Sequence, residues 1–448
     1  MRNAVEMKSD RPTVLMADVA NLTGRFKVWY AGNWAKRYPV SDWGSGDSFT
    51  WLVESCFNGE VNVTALIKGN NAEVQLRCGE QKLTKAISTN WNRVALGIIH
   101  LRAGMNLVTL SASQSDGEME LYSLELIQPE LKATLEQQAE EMRSETSWMR
   151  EAKYGLQFHW TSQSQPRHGK QKVYADAVRD FDVNAFSQMV NETGAGYIIL
   201  TTSHAEHYFP APIKAIDAIM PGRTSERDLL RDLIEALGTY GIRLMLYYHV
   251  GHDHWVEPNG WWVHTGFDRD NPEVFINNWC SIMHEIGNCY GEGLAGWFYD
   301  DGCVYYPLNP DFKQLSAAAK AGNPGRVICY NPWIWPRFTD FQDYLCGEGY
   351  HFLKSDEYLP DDGSGRLMDG AHKGLQAHTN FILERSWCHS APDTPIPPPQ
   401  IPKEEFVKDM VNAIARGIVP AVNLEIYQDG TCAEASIDYM RAVKNALT

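Results

Sequence analysis

The sequence predicts a (β/α)8 TIM-like barrel preceded by an N-terminal, jelly-roll-like β-sandwich. Three observations carry this. From Tyr154 onward, apolar runs of strand length alternate with helical segments, eight times over roughly 290 residues, near the size of such barrels. Each run stops abruptly at polar or aromatic residues. Before residue 128 the chain shows only short β-prone runs separated by Gly/Asn turns. A doubly wound sheet is the rival arrangement, but no GxGxxG follows the first strand.

In chain order, strands are expected at 13–18, 47–54, 61–67, 72–77, 91–97, 106–111 and 119–127, and residues 1–128 form the sandwich. The layout resembles the carbohydrate-binding modules attached to many glycosidases, with Trp29, Trp34, Trp43 and Trp51 as a candidate stacking platform. Residues 129–152 are rich in Glu, Gln, Ala, Met and Leu, and Pro129 suits an early helical position, so this stretch reads as a linker helix. Residues 153–448 form the catalytic barrel. Its strands are expected at 154–160, 197–204, 243–250, 295–301, 327–331, 343–348, 375–382 and 418–425, with helices such as 183–192, 225–240, 272–289, 402–416 and 433–447 between and after them.

A net charge of −16 with no basic cluster argues against nucleic acid as a partner. Nine scattered cysteines without CxxC argue against a zinc knuckle or a disulfide framework and fit reduced thiols. No apolar run reaches membrane-spanning length. The N-terminus lacks a signal-peptide core, so the expected compartment is the cytoplasm, or the periplasm or exterior if a signal has been removed. The oligomeric state is left open.

The stretch Gly293-Leu-Ala-Gly-Trp-Phe-Tyr-Asp-Asp-Gly302 stands at the centre of the functional reading. A continuous apolar run marks a buried parallel strand, and an unpaired carboxylate is costly to bury. Of two carboxylates where such a strand ends, one can cap the following helix, and the other is expected to face the barrel mouth, where active sites of this fold lie. The other strand ends are similar. They carry His159 and Trp160; His204, Glu206 and His207; Tyr248 and His249; Asn331, Trp333 and Trp335; Glu348; His378; and Asn423 and Glu425. Together they describe a cup of carboxylates, imidazoles and indoles. Two carboxylates on different strands are the minimal equipment of a glycosidase. Indoles stack on sugar faces, and His and Asn bind ring hydroxyls.

Five segments carry a family resemblance. Tyr154-Gly-Leu-Gln-Phe-His-Trp160, residues 181–201, Trp297-Phe-Tyr-Asp300-Asp-Gly302, residues 341–348 and residues 418–430 together resemble the retaining α-L-fucosidases of glycoside hydrolase family 29, over about 154–447. The resemblance implies an exo-glycosidase acting by double displacement on an oligosaccharide or glycoconjugate, without cofactor or metal. It implies Asp300 as nucleophile and Glu348 as acid/base. Asp301 is the alternative nucleophile register, and Glu384, Glu357 and Glu425 are alternative acids. It further implies that His159 and His204 bind sugar hydroxyls. Trp160, Glu206, His207, Tyr248, His249, Trp297, Asp301, Trp333, Trp335 and His378 complete the expected substrate contacts. Some segments depart from the family: its second histidine after strand two is Ala205 here, and its β-domain follows the barrel whereas the β-rich segment here precedes it. A different sugar on the same scaffold, such as an α-L-galactoside or a decorated deoxysugar, is therefore an alternative, as is a non-catalytic sugar-binding protein. The run His249-Val-Gly-His252-Asp253-His254 could ligate zinc, but without HExxH it reads as hydrogen-bonded loop histidines.

Overall fold

The computed structural model describes residues 4–28, 37–204, 206–249, 260–268, 271–332, 336–354, 363–367 and 373–448. The chain divides into two compact units, Met1–Glu141 with Cys303–Asp311, and Met142–Gly302 with Phe312–Thr448.

The first unit holds two largely antiparallel sheets. One runs Val5–Glu6, Ser48–Ser55, Gly104–Gln114, Ala72–Cys78, Gln81–Ile87; the other runs Asn92–Leu101, Gly59–Gly69, Met119–Ile127, Val40–Trp43, Lys27–Val28. Period-two alternation builds the core. In Ser48–Ser55, Phe49, Trp51 and Val53 turn inward, as do Val61, Val63, Ala65 and Ile67 in Gly59–Gly69. That alternation corrects the expected stacking platform. Trp43 and Trp51 are buried in the sandwich core, Trp43 edge-on to Phe49 and Trp51 donating Nε1–H to the Met16 carbonyl at 2.9 Å. Trp29 and Trp34 lie outside the described residues. The strand Gln81–Ile87, at the end of its sheet, was not expected. Its exposed Lys82 and Lys85 protect an edge at the expense of the apolar pattern by which a strand is read. Residues 303–311 also belong to this unit, although they lie between barrel elements in sequence. There Tyr306 donates to Glu125 Oε1 at 2.6 Å.

The expected helix 129–152 is two helices, Pro129–Met142 and Ser147–Glu151. Ser144, between them, gives its N–H to the Asp343 carboxylate at 2.6 Å and its hydroxyl to the Pro324 and Arg326 carbonyls. These bonds replace the helical ones.

The second unit is an eight-stranded parallel barrel with helices between the strands. Its strands are β1 (Gly155–Phe158), β2 (Tyr197–Ser203), β3 (Arg243–His249), β4 (Leu294–Asp300), β5 (Val327–Tyr330), β6 (Tyr344–Glu348), β7 (Gln376–Ile382) and β8 (Val419–Asn423). All eight coincide with the expected runs to within a few residues. They hydrogen-bond in the order β5-β4-β3-β2-β1-β8-β7-β6. Burial on both faces explains their continuous apolar character. The helices start at caps legible in sequence. Asp182 accepts from Ala185 N–H at 2.9 Å, and Asp228 caps Leu229–Gly238 in the same way.

The ring closes between β5 and β6 at one residue, through its backbone and its side chain. Asp343 N–H donates to the Ile328 carbonyl at 2.9 Å, and Asp343 Oδ2 accepts Ile328 N–H at 2.7 Å. The other carboxylate oxygen takes the Ser144 N–H and the Lys320 ammonium at 3.0 Å. Lys320 is 8% exposed and Asp343 is 1% exposed, so neither charge has water to fall back on. Replacing Asp343 with Ala leaves a buried ammonium unpaired and two backbone N–H groups without acceptors. The expected cost is about 3–5 kcal/mol, read as a lowered midpoint for the barrel's urea-unfolding transition. A midpoint unchanged from wild type would refute this role for Asp343.

Candidate active site

The polar ends of the barrel strands meet in one cup. It is lined by Gln157, His159, His204, Tyr247, Phe298, Asp300, Asn331, Glu348, Asn380 and Trp387, around about 330 Å³ of empty space, open solvent included. Strand register decides which residues enter it. Across β3 and β4, Tyr247 sits beside Phe298 and His249 beside Asp300, so these share the inward face. Tyr248 sits beside Tyr299 and faces outward.

Asp300 is the most constrained group in the cup. Its Oδ2 accepts from the Tyr247 hydroxyl at 2.6 Å and its Oδ1 from Asn331 Nδ2 at 2.8 Å. The same Asn331 nitrogen reaches Glu348 Oε2 at 3.1 Å. These two carboxylate oxygens can be no farther apart than the two bonds laid end to end, about 5.9 Å (2.8 plus 3.1 Å). Asn331 is itself pinned to β4, its N–H donating to the Tyr299 carbonyl at 2.7 Å and its carbonyl accepting from Gly302. Burial pushes the Asp300 pKa up. The imidazole of His249 and the hydrogen bonds from Tyr247 and Asn331 together outweigh burial, so the pKa falls below its ordinary 3.8.

Asp301 follows a different path. Its φ of 68° is left-handed and its side chain is buried, with Oδ2 at 2.9 Å from His249 Nε2. It is not among the residues that line the cup. Its left-handed turn carries the chain away after Asp300, a conformation Asp tolerates better than most residues. His249, Asp300 and Asp301 could together offer a cation three ligand atoms within 4.8 Å of one another. The donors already aimed at Asp300 suit a hydrogen-bonded carboxylate. His252, Asp253 and His254 lie outside the described residues.

His159 forms a wall of the cup. Its Nδ1 is 2.8 Å from Asn423 Oδ1, and Asn423 in turn donates to the Trp387 carbonyl at 3.0 Å. Burial, with His204 nearby, pushes the His159 pKa down to about 3, so the ring is neutral. It then donates from Nδ1, which leaves Nε2 to accept a hydroxyl proton. His204 and the half-buried Trp387 complete this side, the Trp387 ring 5.2 Å from that of His159.

Several expected contacts are placed elsewhere. Trp297 donates to the Ala319 carbonyl, and Tyr248 packs edge-on to it, because alternation sends both to the outer face of the barrel. Trp160 donates to the Gln428 carbonyl and packs on Tyr174 and Phe181. His207 bonds Ser203 Oγ at 2.6 Å and stacks on Trp261. His378 lies inside the barrel, bonded to Tyr197. Glu206 is half-buried and is not among the lining residues. Glu425 is occupied by the Arg385 and Ser386 N–H groups and His389, and Glu384 accepts from Glu425 N–H. Neither Glu384 nor Glu425 lines the cup. Glu357, Ala205, Trp333 and Trp335 lie outside the described residues. Asn331 was expected at the mouth as the end of its strand and lines the cup, whereas Tyr247, Gln157, Asn380, Phe298 and Trp387 were not singled out as site residues from sequence. Counting in twos from Asp300 and His159 would have found Phe298 and Gln157. Register against β4 would have found Tyr247.

A (β/α)8 barrel whose mouth sets two carboxylates within hydrogen-bond reach of one amide has the build of a glycoside hydrolase. Residues 175–445 match the alpha-L-fucosidase family model, and the chain belongs to that family. A family 29 alpha-L-fucosidase from Bacteroides thetaiotaomicron shows a similar fold, with 17% identity, a TM-score of 0.48, and coverage of 68% of this chain and 74% of that one. The Thermotoga maritima alpha-fucosidase is similar at 18% identity and TM-score 0.48, covering 69% and 75%. The alpha-L-fucosidase of Lactobacillus casei, solved with alpha-L-fucose product, is similar at 16% identity and TM-score 0.45, covering 67% and 97%. No curated protein matches the chain. Among the described residues, no helix is long and apolar enough to cross a membrane.

The donors around Asp300 favour its ionised form. Removing one must raise its pKa, so a fixed pH on the acid side finds more of it protonated. Tyr247→Phe should therefore move the acid limb of the kcat/KM–pH profile toward higher pH. Superimposable acid limbs for wild type and variant would show that Tyr247 does not set this ionisation.

Proposed function

We propose that the barrel is a retaining exo-glycosidase acting on α-L-fucosides or closely related glycosides. The observation that carries this reading is the shared Asn331 amide. It brings one oxygen of Asp300 and one of Glu348 to within about 5.9 Å of each other, which supports the short separation of retaining enzymes, roughly 5–5.5 Å, over the roughly 6.5–9.5 Å that admits an attacking water. Asp300, ionised and at the strand end, is the nucleophile. Its carboxylate oxygen attacks the anomeric carbon as the bond to the leaving oxygen breaks, and Glu348 gives that oxygen its proton. In the second step Glu348 takes a proton from water, the water oxygen attacks the anomeric carbon, and the bond to Asp300 breaks. His159 accepts from a ring hydroxyl through Nε2, and Trp387 offers an indole face to the sugar. Asp301 acts behind the site by holding His249.

A second reading keeps the mechanism and changes the sugar. It rests on Ala205, which offers no hydrogen bond where the family carries a histidine. A panel of aryl glycosides, α-L-fucoside and α-L-galactoside among them, separates the two readings by their kcat/KM ratio.

The nucleophile assignment has its own test. Asp300→Gly should lower turnover by about a thousandfold or more, a loss of roughly 4 kcal/mol of transition-state stabilisation. Added azide should restore part of it by attacking the anomeric carbon from the vacated side. If Asp301→Gly is the inactive, azide-rescued variant and Asp300→Gly still turns over, the register shifts by one residue.

A further inference from the structure

The cup has a polar floor that the reaction above does not use. Gln157 points inward on β1, two residues before His159, and is fully buried. Its Oε1 accepts from Asn380 Nδ2 at 3.2 Å, while its Nε2 has no partner among the described residues. The other side of Asn380 continues into the barrel. Asn380 Oδ1 accepts from the Cys346 thiol at 3.2 Å, Cys346 Sγ is 3.2 Å from His378 Nδ1, and His378 Nε2 is 3.0 Å from the Tyr197 hydroxyl. All five residues are buried.

Burial pushes the His378 pKa down to about 3 and holds the Cys346 thiol and Tyr197 phenol well above their ordinary values. At neutral pH every member is therefore uncharged. One proton order then satisfies every link. Tyr197 donates to His378 Nε2, His378 Nδ1–H to Cys346, the Cys346 thiol to Asn380 Oδ1, and Asn380 Nδ2–H to Gln157 Oε1. The chain of donors ends at Gln157 Nε2–H. A buried donor left unmade costs more than a made bond gains, and here it belongs to a residue that lines the cup.

We infer that Gln157 is a specificity-determining residue whose amide N–H donates to a hydroxyl oxygen of the glycone, on the side of the ring remote from the anomeric carbon. The position follows from the barrel, because β2 and β3 separate β1 from β4 in the strand order, setting Gln157 across the cup from Asp300. This assignment rests on the reading of Asp300 as the residue at the anomeric carbon. A glycone with hydrogen or methyl at that point leaves the amide unpaired, and the cup selects against it.

The test compares wild type, Gln157→Leu and Gln157→Met. The substrates are 4-nitrophenyl α-L-galactoside, the α-L-fucoside, which lacks the oxygen at C6, and the 3-deoxy and 4-deoxy fucosides. Both variants should lose roughly 10- to 100-fold in kcat/KM on substrates carrying the recognised oxygen and little on the analogue lacking it, so that discrimination at one carbon collapses. Calorimetric binding of free L-galactose and L-fucose should follow the same pattern. An equal loss on every substrate marks a structural role and overturns the assignment. So does no loss on any of them, or no sugar binding by wild type. The glycosidase reading fails separately, if wild type turns over none of the panel or if Asp300→Gly turns it over as well as wild type.

Discussion

The Asp343 carboxylate, which closes the barrel between β5 and β6, is the contact on which the site geometry depends. Every other neighbouring pair of barrel strands is joined by a ladder of backbone bonds. Here one side chain takes the place of a strand partner for Ile328 N–H and binds the Lys320 ammonium and Ser144 N–H as well. The consequence appears one strand length away. Asn331 follows β5 and Glu348 ends β6, so the offset fixed at Asp343 and Ile328 decides whether they meet. They meet at 3.1 Å. A chemical distance at the mouth is thus set by a buried ion pair near the other end of the same two strands.

Electrostatics within the cup divide the same way as the hydrogen bonds. Desolvation alone would favour a protonated, uncharged Asp300. Two neutral donors and a neighbouring imidazole reverse this, and among the described residues no lysine or arginine lines the cup. The histidines farther from Asp300 are kept neutral by burial, His159 and His378 with pKa values of about 3 and His207 well below its ordinary value. Neutral rings have one donor and one acceptor each. They can order hydroxyl groups without adding charge beside Asp300.

The barrel was legible because its strands are buried on both faces. Continuous apolar runs such as Leu244–Leu246 and Tyr197–Leu200 have few alternatives in a chain that alternates with amphipathic helices. The carboxylate pair at the mouth was legible for a related reason, since Asp300 and Glu348 interrupt such runs where they end. Side-chain direction was harder to read. Trp297, Tyr248 and Trp160 are aromatic and lie near strand ends, yet they face the helices, because a one-residue step reverses the face. Trp387 was invisible to any pattern, since it sits in the loop after β7 and reaches the cup only through the fold. Trp43 and Trp51 misled in the opposite sense. Indoles in a β-rich domain suggest a binding face, but their alternation with polar neighbours marks them as core.

The most informative residues are those that break the local rule without ending an element. Gln157 interrupts an otherwise apolar strand, His378 and Asn380 lie in a strand that also buries Gln376 and Thr379, and Cys346 and Tyr197 are buried beside them. A barrel interior that served stability alone would fill these places with Val, Ile or Leu, because each buried polar atom must find a partner or cost free energy. The five side chains find partners in one another, which removes most of that cost and orients every hydrogen bond in one direction. The cost that remains is concentrated on a single N–H at the cup. A network that is satisfied everywhere except where ligand enters has its structural role inside the barrel and its specificity at its open end. On the proposed reading, the polar interruptions of the inner strands carry information about the sugar that Asp300 and Glu348 alone do not.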